Sequence, residues 1–557
     1  MRDWVRSPLL WILLLAAGLR LTGLFWGLPA SDGWDDDGFA PRNFLTALAL
    51  TWKPGAYFTY PPLHALLLAL PALPVAGWAL AHAPSLHQQD VIATITLPGY
   101  MTYFAVVARL AAIAMSLGII WTVGEMARLI AGPRAGLLAA GAAALNFGLT
   151  YYGQVSNLDV PTLFWACLSL LFVLQAVVGQ QPRRLWWAAL AAAAAVATKD
   201  QAYAIFLLAL PVFFALWFAT DAWPRENARR VLTTLMLAAI VAVAALLLVD
   251  GAVTNPWGFA KRVAFLVGPA SGNYAEYVQG PAGWWALLRD MFAYYCDGFG
   301  LLAVVLAALG VALVLRRRGR VAALLPLLAM VSFTVCFNFA ALRSDARFLL
   351  PQAVLACVYI GITAEALVFP ARDLLRWPGR IVVAAVALLA LHQAMAVDAA
   401  MLFDPRYDAE HWLAQHARPG DGVEVYDRNW LLPRFPRALN VWRVGRGDVN
   451  TRNPMPGITE VQQPFAVVQL RHPRFIIVSA NWLARFLPGG LPPGRIRSVN
   501  QQNDLASNDT RAYFAALVEG RLGYRRAHLS RYQASLWPPA HLHDSLNERL
   551  AIFERTP

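Results

Sequence analysis

Residues 8–29 read PLLWILLLAAGLRLTGLFWGLP, and shortly after them stand three consecutive acids, Asp35, Asp36 and Asp37. A bilayer crossing takes about 20 predominantly apolar residues, so the first segment is long enough to span and the acids fall at its far end. Adjacent carboxylates at the mouth of a membrane bundle repel one another and are costly to desolvate. They are kept for chemistry, cation binding or substrate contact, or else they form a solvated loop after the helix.

The rest of the chain has the same character. Of 557 residues, 58% are hydrophobic and 14% charged, the composition of a polytopic membrane protein. The first segment follows Arg2 and Arg6 and lacks a small-residue cleavage site, so it reads as a retained helix. The net charge of +13 does not argue for nucleic acid, because most arginines outside the C-terminal part fall in short loops between apolar runs, where they fix topology. The clusters Arg2/Arg6, Arg128/Arg134, Arg183/Arg184, Arg225/Arg229/Arg230, Arg316 to Arg320 and Arg372/Arg376/Arg380 are therefore assigned to the cytoplasm. Apolar runs near 8–29, 104–127, 135–151, 160–178, 185–198, 202–219, 231–249, 298–315, 321–340, 348–369 and 381–401 give about eleven crossings. That number places the N-terminus inside and the C-terminus outside, with Lys53, Lys199 and Lys261, the only lysines, on the outer side.

The outer loops carry the specific signals. The first, 31–103, has an apolar stretch Leu63 to Ala83 interrupted by Pro71 and Pro74, which reads as pieces lying at the membrane interface; two further crossings there would leave the downstream parity unchanged. Asp159 precedes an apolar run and either caps that helix or acts in a site. Lys199 interrupts the run Ala191 to Leu210 and must find a partner or an aqueous cavity; Asp200 is the neighbouring candidate partner. Arg343 and Arg347, four apart, would share a face of a helical turn at the outer boundary, suited to bidentate phosphate binding or to snorkelling toward headgroups. Acids from two loops, a lysine and an arginine pair equip the outer face to act on a lipid-linked phosphate ester. A carboxylate can deprotonate a hydroxyl while cations steady the departing phosphate.

These residues resemble a family. Asp36-Asp37 is similar to the Asp-Glu motif of the GT-C membrane glycosyltransferases, which include the protein mannosyltransferases and the lipid A aminoarabinose transferase; here the second acid is Asp, and Asp35 offers a second register. Tyr60-Pro61-Pro62-Leu63 resembles their Lys-Pro-Pro-Leu stretch with Tyr in place of Lys. Asp159-Val160-Pro161, Thr198-Lys199 and Arg347-Phe348-Leu349-Leu350-Pro351 resemble three further family elements in the same order. The resemblance implies a sugar donor on a polyprenyl phosphate and inverting transfer to an acceptor hydroxyl on the non-cytoplasmic face. By the same resemblance Asp36 or Asp37 is the base, and Asp159 orients the acceptor or supports that base. Lys199, Arg347 and Arg343 hold the donor phosphate, with Asp35, Tyr60 and Lys53 as further cavity candidates. No cofactor is required by this reading; a divalent cation on Asp35 to Asp37 is an open option without a recognisable ligand set beyond the triplet.

The expected architecture is a polytopic α-helical membrane domain of GT-C type over 1–403, followed by a soluble extracytoplasmic α/β domain over 404–557. Asp404 to Leu413 reads as an amphipathic helix, Val423 to Tyr426, Phe475 to Ser479 and Leu550 to Phe553 as strands, and Thr510 to Leu522 as a helix ended by Gly523. The preference for arginine over lysine points to a GC-rich bacterial genome, and the expected location is a bacterial inner membrane. Cys167, Cys296, Cys336 and Cys357 lie in or beside helices and form no disulfide framework for the tail. The acceptor, whether lipid, glycan or protein, is not named by the sequence. A lipid or glycan transporter or flippase, or a non-catalytic glycan-binding membrane protein, remains the alternative; no internal repeat of the inverted-transporter kind is evident.

Overall fold

The computed structural model describes residues 7–35, 39, 41–220, 225–316, 321–370, 376–449, 454–487, 489–534, 537 and 546–556, the side chains of 41–44, 225–227 and 504 excepted. Asp36 and Asp37 lie outside the described residues. The chain is mostly helical and divides into two compact units. One gathers Met1–Thr22, Asn43–Leu70 and Ala108–Met395; the other gathers Gly23–Arg42, Pro71–Val107 and Ala396–Pro557.

Among the described residues, eight helices are long and apolar enough to cross a membrane, and nine if the bent pair Pro281–Phe299 and Leu301–Arg316 counts as one. That pair turns through 112° at Gly300, whose φ of +79° is a left-handed conformation that a side chain would resist. Leu63–Ala81 is one continuous helix containing both prolines, not the separate pieces expected from them. The shorter apolar helices Pro8–Leu21 and Arg184–Thr198 fall below the length of a full span. The run expected as a helix over 135–151 is two helices, Pro133–Ala144 and Phe147–Tyr152, because the Asn146 side chain accepts from the Leu149 amide at 2.8 Å and starts the second one afresh. The segment expected at 202–219 is likewise broken. Ser332 of a neighbouring helix donates to the Ala204 carbonyl at 2.6 Å and accepts from the Leu208 amide at 3.0 Å, satisfying backbone groups freed by the break.

Small residues let the helices of this unit approach closely. A methyl group on Gly361 would stand 2.6 Å from the Ala135 carbonyl oxygen and from the Ala139 Cβ, so the helices Ala346–Val368 and Pro133–Ala144 meet backbone to backbone there. Arg20 is fully buried on Pro8–Leu21, where its Nε donates to Ser116 Oγ at 2.5 Å and a terminal nitrogen to the carbonyls of Ala16 and Ala144 at 3.1 and 3.2 Å. A guanidinium in an apolar bundle must be met in this way.

The second unit is built on a six-stranded sheet in which β1 is Gly422–Val425, β2 Asn440–Gly445, β3 Ile458–Gln462, β4 Phe475–Ser479, β5 Tyr524–Leu529 and β6 Leu550–Arg555. The order is β3-β2-β1-β4-β6-β5; the first four strands run parallel and the last two join antiparallel. Helix Asn508–Val518 packs Phe514 and Leu517 into one face of its core, and Pro405–His416 packs Ala409 and Leu413 into the other. The stretch just after the first helix is part of this unit. Trp34 Nε1 donates to the Leu432 carbonyl at 2.9 Å, Trp26 Nε1 to Asp404 at 3.0 Å, and the Arg434 guanidinium to the Leu28 carbonyl at 2.6 Å.

The close approach at Gly361 predicts that Gly361→Ala lowers the melting temperature of the detergent-solubilised protein, at an overpacking cost of about 1–3 kcal/mol. Gly141, with open space where its side chain would stand, supplies the control. Equal melting temperatures for Gly361→Ala and Gly141→Ala would contradict the packing described.

Candidate functional site

Three helix ends meet at the site. Asp159 opens the helix Asp159–Val178, and Lys199 directly follows the helix Arg184–Thr198. A carboxylate at a helix N-terminus and an ammonium at a helix C-terminus are each favoured by the local dipole. The two side chains form an ion pair, Lys199 Nζ to Asp159 Oδ1 at 2.6 Å, with only 8% and 10% of their side chains exposed. The neighbour considered from the sequence, Asp200, turns elsewhere: its carboxylate lies 3.5 Å from Arg262, which also binds Asp250 at 2.5 Å. Position along the chain suggested Asp200 as partner; the packing of two antiparallel helices supplies Asp159 instead.

The third element is the start of the helix Ala346–Val368. Arg343 and Arg347 do not share a helical turn as expected. Leu342 takes a left-handed conformation with φ +53°, and the helix begins only at Ala346, so Arg343 lies in the loop and Arg347 in the first turn. They converge nevertheless. The Arg343 and Arg347 guanidinium carbons stand 4.6 and 4.7 Å from the centre of the Phe348 ring, and Lys199 Nζ stands 5.6 Å from it. Three cations thus face one aromatic ring, whose quadrupole attracts positive charge. Asp345 bonds Arg343 at 2.9 Å and lies 4.0 Å from Arg347. Arg347 in the first turn opposes the helix dipole, an arrangement that an anion at the same place would relieve.

The loop is held from below by residues that sequence reasoning did not single out. The Asn338 side-chain amide donates to the carbonyls of Arg343 and Phe348 at 3.1 and 3.2 Å, bracing both ends of the loop. Gln352 in turn donates to Asn338 Oδ1 at 2.8 Å and to Thr334 at 3.1 Å. Asn338 ends a π-helical turn, Thr334–Asn338, a form often found at functional sites. The available signal was an amide interrupting the apolar run before Arg343.

Asp159, Lys199, Arg347 and Phe348 line one small pocket of about 20 Å³, space for roughly one water molecule. A separate apolar cleft of about 570 Å³ opens among several helices, with Val196 and Tyr203, on either side of Lys199 in the chain, both in its wall. Tyr60 and Lys53 are not among the residues lining the small pocket. Tyr60 is half-buried near Phe58, and Lys53 is exposed in a turn after the helix Pro41–Thr51. Asp35 is buried in the other unit, as is Asp32, which accepts from the Asn429 amide at 2.8 Å. Among the described residues no group of three or more His, Cys, Asp or Glu stands close enough to hold a metal ion, and Asp36 and Asp37 are not among those residues.

Residues 102–248 match the family described as dolichyl-phosphate-mannose-protein mannosyltransferase. No curated protein matches the chain in sequence. Among solved structures, the archaeal oligosaccharyltransferase AglB from Archaeoglobus fulgidus, in complex with an inhibitory peptide and a dolichol-phosphate, is 14% identical; the alignment covers 96% of this chain and 80% of that one, with a TM-score of 0.51. ArnT from Cupriavidus metallidurans bound to undecaprenyl phosphate is 14% identical over 97% of this chain and 98% of its own, with a TM-score of 0.49. The Archaeoglobus fulgidus oligosaccharyltransferase in complex with zinc and sulfate is 15% identical over 75% of this chain, which spans 60% of that chain, with a TM-score of 0.47. The fold of this chain is thus similar to that of AglB, and its residues 102–248 match the mannosyltransferase family.

Proposed function

We propose that the protein transfers a sugar from a polyprenyl-phosphate carrier to an acceptor hydroxyl on the non-cytoplasmic side of a bacterial inner membrane, with inversion at the anomeric carbon. The observation that carries this reading is the convergence of three cations, Lys199, Arg343 and Arg347, on Phe348, with Asp159 against Lys199 and Asp345 against Arg343. Clustered positive charge suits a phosphate, and guanidinium groups bind its oxygens bidentately. The apolar cleft walled by Val196 and Tyr203 suits a polyprenyl chain. The archaeal enzyme that shares this fold is solved with a dolichol-phosphate, which supports the same class of donor.

In this mechanism the acceptor oxygen attacks the anomeric carbon while the bond from that carbon to the phosphate oxygen breaks. The hydroxyl proton passes to Asp36 or Asp37, and the electron pair leaves on the polyprenyl phosphate. The arginine pair stabilises the charge that develops on the leaving group. Asp159 keeps Lys199 in place and shares its charge, so the pair acts on the phosphate as a polar contact rather than as a full cation.

A purified-protein assay with a panel of polyprenyl-phosphate sugars, scoring free polyprenyl phosphate, tests the reaction. Loss of a general base costs about 10²–10⁴-fold in rate, so one of Asp36→Asn and Asp37→Asn is expected to lose that much turnover while still binding donor. Near-normal turnover in both single variants and in the double variant would rule out the carboxylate base.

The ion pair gives a separate expectation. Lys199→Met leaves Asp159 buried without its counter-charge, a loss of about 3–5 kcal/mol in stability. Asp159→Leu in the same chain should restore the melting temperature but not the turnover. Recovery of turnover in that double variant would reduce the pair to a structural role. Arg347→Lys keeps charge but loses the planar fork; it should retain part of the activity, and Arg347→Ala much less. Equal activity in the two would remove Arg347 from phosphate binding.

A further inference from the structure

The sheet of the second unit has a crevice that the transfer reaction does not use. From β1 the chain passes to β2 and β3 on one side, then returns to place β4 on the other side of β1. At such a switch point the loops leaving the carboxyl ends of two parallel strands part in opposite directions, and open α/β sheets bind ligands in the gap. Here the gap is a cavity of about 640 Å³, within the range of about 300–1,000 Å³ usual for small-molecule sites.

Asp427 sits at its base, two residues beyond the end of β1. One carboxyl oxygen accepts from the Ser479 amide at the end of β4 at 2.8 Å, so the side chain ties the two diverging loops together. The other oxygen is buried and has no hydrogen-bond partner among the described residues, and the residue is only 2% exposed. The indole nitrogen of Trp482, also in the cavity wall, is a second buried polar atom left unpaired. Orphaned buried groups of this kind are costly and call for an explanation. Burial pushes the Asp427 carboxyl up to about 8, with the amide of Ser479 and Arg485 opposing that shift and Glu548 adding to it. That shift favours the protonated form, which can donate as well as accept.

The walls are cationic and aromatic. Arg428 after β1 lies 5.2 Å from the centre of the Trp430 ring, and Arg485 after β4 lies 5.0 Å from that of Trp482. Each indole fixes the plane of its guanidinium at one side of the gap. Arg446, from the loop after β2, completes a third side, where it bonds Asp509 at 3.1 Å. A ligand that satisfies the orphaned indole N–H and the Asp427 carboxyl offers an acceptor oxygen and a hydroxyl. One that uses the guanidinium groups carries an anion. Apolar ring faces in the wall favour a ligand with a C–H face of its own.

We infer that the cleft at the carboxyl ends of β1 and β4 is a binding site for an anionic saccharide, a sugar unit bearing a carboxylate or a phosphate. The site lies wholly within the second unit and does not depend on the donor-phosphate reading of the first.

The test is calorimetric titration of the full-length protein in detergent with glucose 6-phosphate, glucuronate, glucose, inorganic phosphate and a short acidic peptide. At least one of the two sugar anions is expected to bind about tenfold or more tighter than glucose, phosphate or the peptide, the factor that one charge-assisted contact supplies. Which of them binds separates a phosphate from a carboxylate. Arg485→Ala should weaken that binding about tenfold, and Trp482→Phe, which removes only the N–H donor and the larger ring, about threefold or more. If Arg485→Ala fails to fold, Trp482→Phe decides alone. Binding of neither sugar anion above the glucose and phosphate controls, tighter binding of the peptide, or unchanged affinity in a folded Trp482→Phe protein would each overturn the assignment.

Discussion

A charge inside an apolar helical bundle must be answered by an opposite charge or by polar groups that bond to it, and that demand organises the first unit around Lys199 and Asp159. Neither residue lies in the middle of a helix. Each stands at the helix end whose dipole suits it, so the pair is favoured twice, by the local fields and by mutual contact at 2.6 Å. Removing either partner would strand a charge with little access to water. The pair therefore fixes how the helices Asp159–Val178 and Arg184–Thr198 meet, and brings Phe348 of a third helix against the ammonium group.

Beside this contact stands a second group of cations. Asp159 answers Lys199, while Asp345 serves both Arg343 and Arg347, at 2.9 and 4.0 Å. Two guanidinium groups held close together repel one another, and the one in the first turn of a helix also opposes the helix dipole. The amides of Asn338 and Gln352 brace the loop and keep it from relaxing. A protein that holds cations together by a hydrogen-bonded frame is preorganised for an anion, because the work of gathering like charges is done before the ligand arrives.

Much of this was legible in the sequence, for a physical reason. Asp159, Lys199 and Arg347 stand out because ionisable residues beside apolar runs are rare. Their partners were not legible, since Lys199 meets a carboxylate 40 positions away rather than the adjacent Asp200. Asn338 is an ordinary polar interruption until its two carbonyl partners are seen. In the sheet, β1, β4 and β6 stood out as short apolar runs, whereas β2, β3 and β5 did not. Strand β2 buries Arg443 against Glu460 of β3, at 2.5 Å, which breaks the alternation of apolar and polar residues that marks a half-buried strand. Strand β5 carries Arg525 and Arg526 on the sheet edge and gives no hydrophobic signal. Asp32 lay only three residues from the acidic triplet, yet its role as a partner of Asn429 depends on a contact across 397 residues.

The central claim is that the cations on Phe348 hold a polyprenyl phosphate whose chain runs into the apolar cleft beside Lys199. The most direct measurement is photo-crosslinking of the purified protein with a polyprenyl phosphate bearing a diazirine in its first isoprene units, followed by peptide mass spectrometry. The account predicts labelling of residues around Val196, Tyr203 and Phe348, abolished by excess unlabelled polyprenyl phosphate and strongly reduced in Arg347→Ala. Labelling confined to other helices, or equal labelling by the uncharged polyprenol, would contradict it.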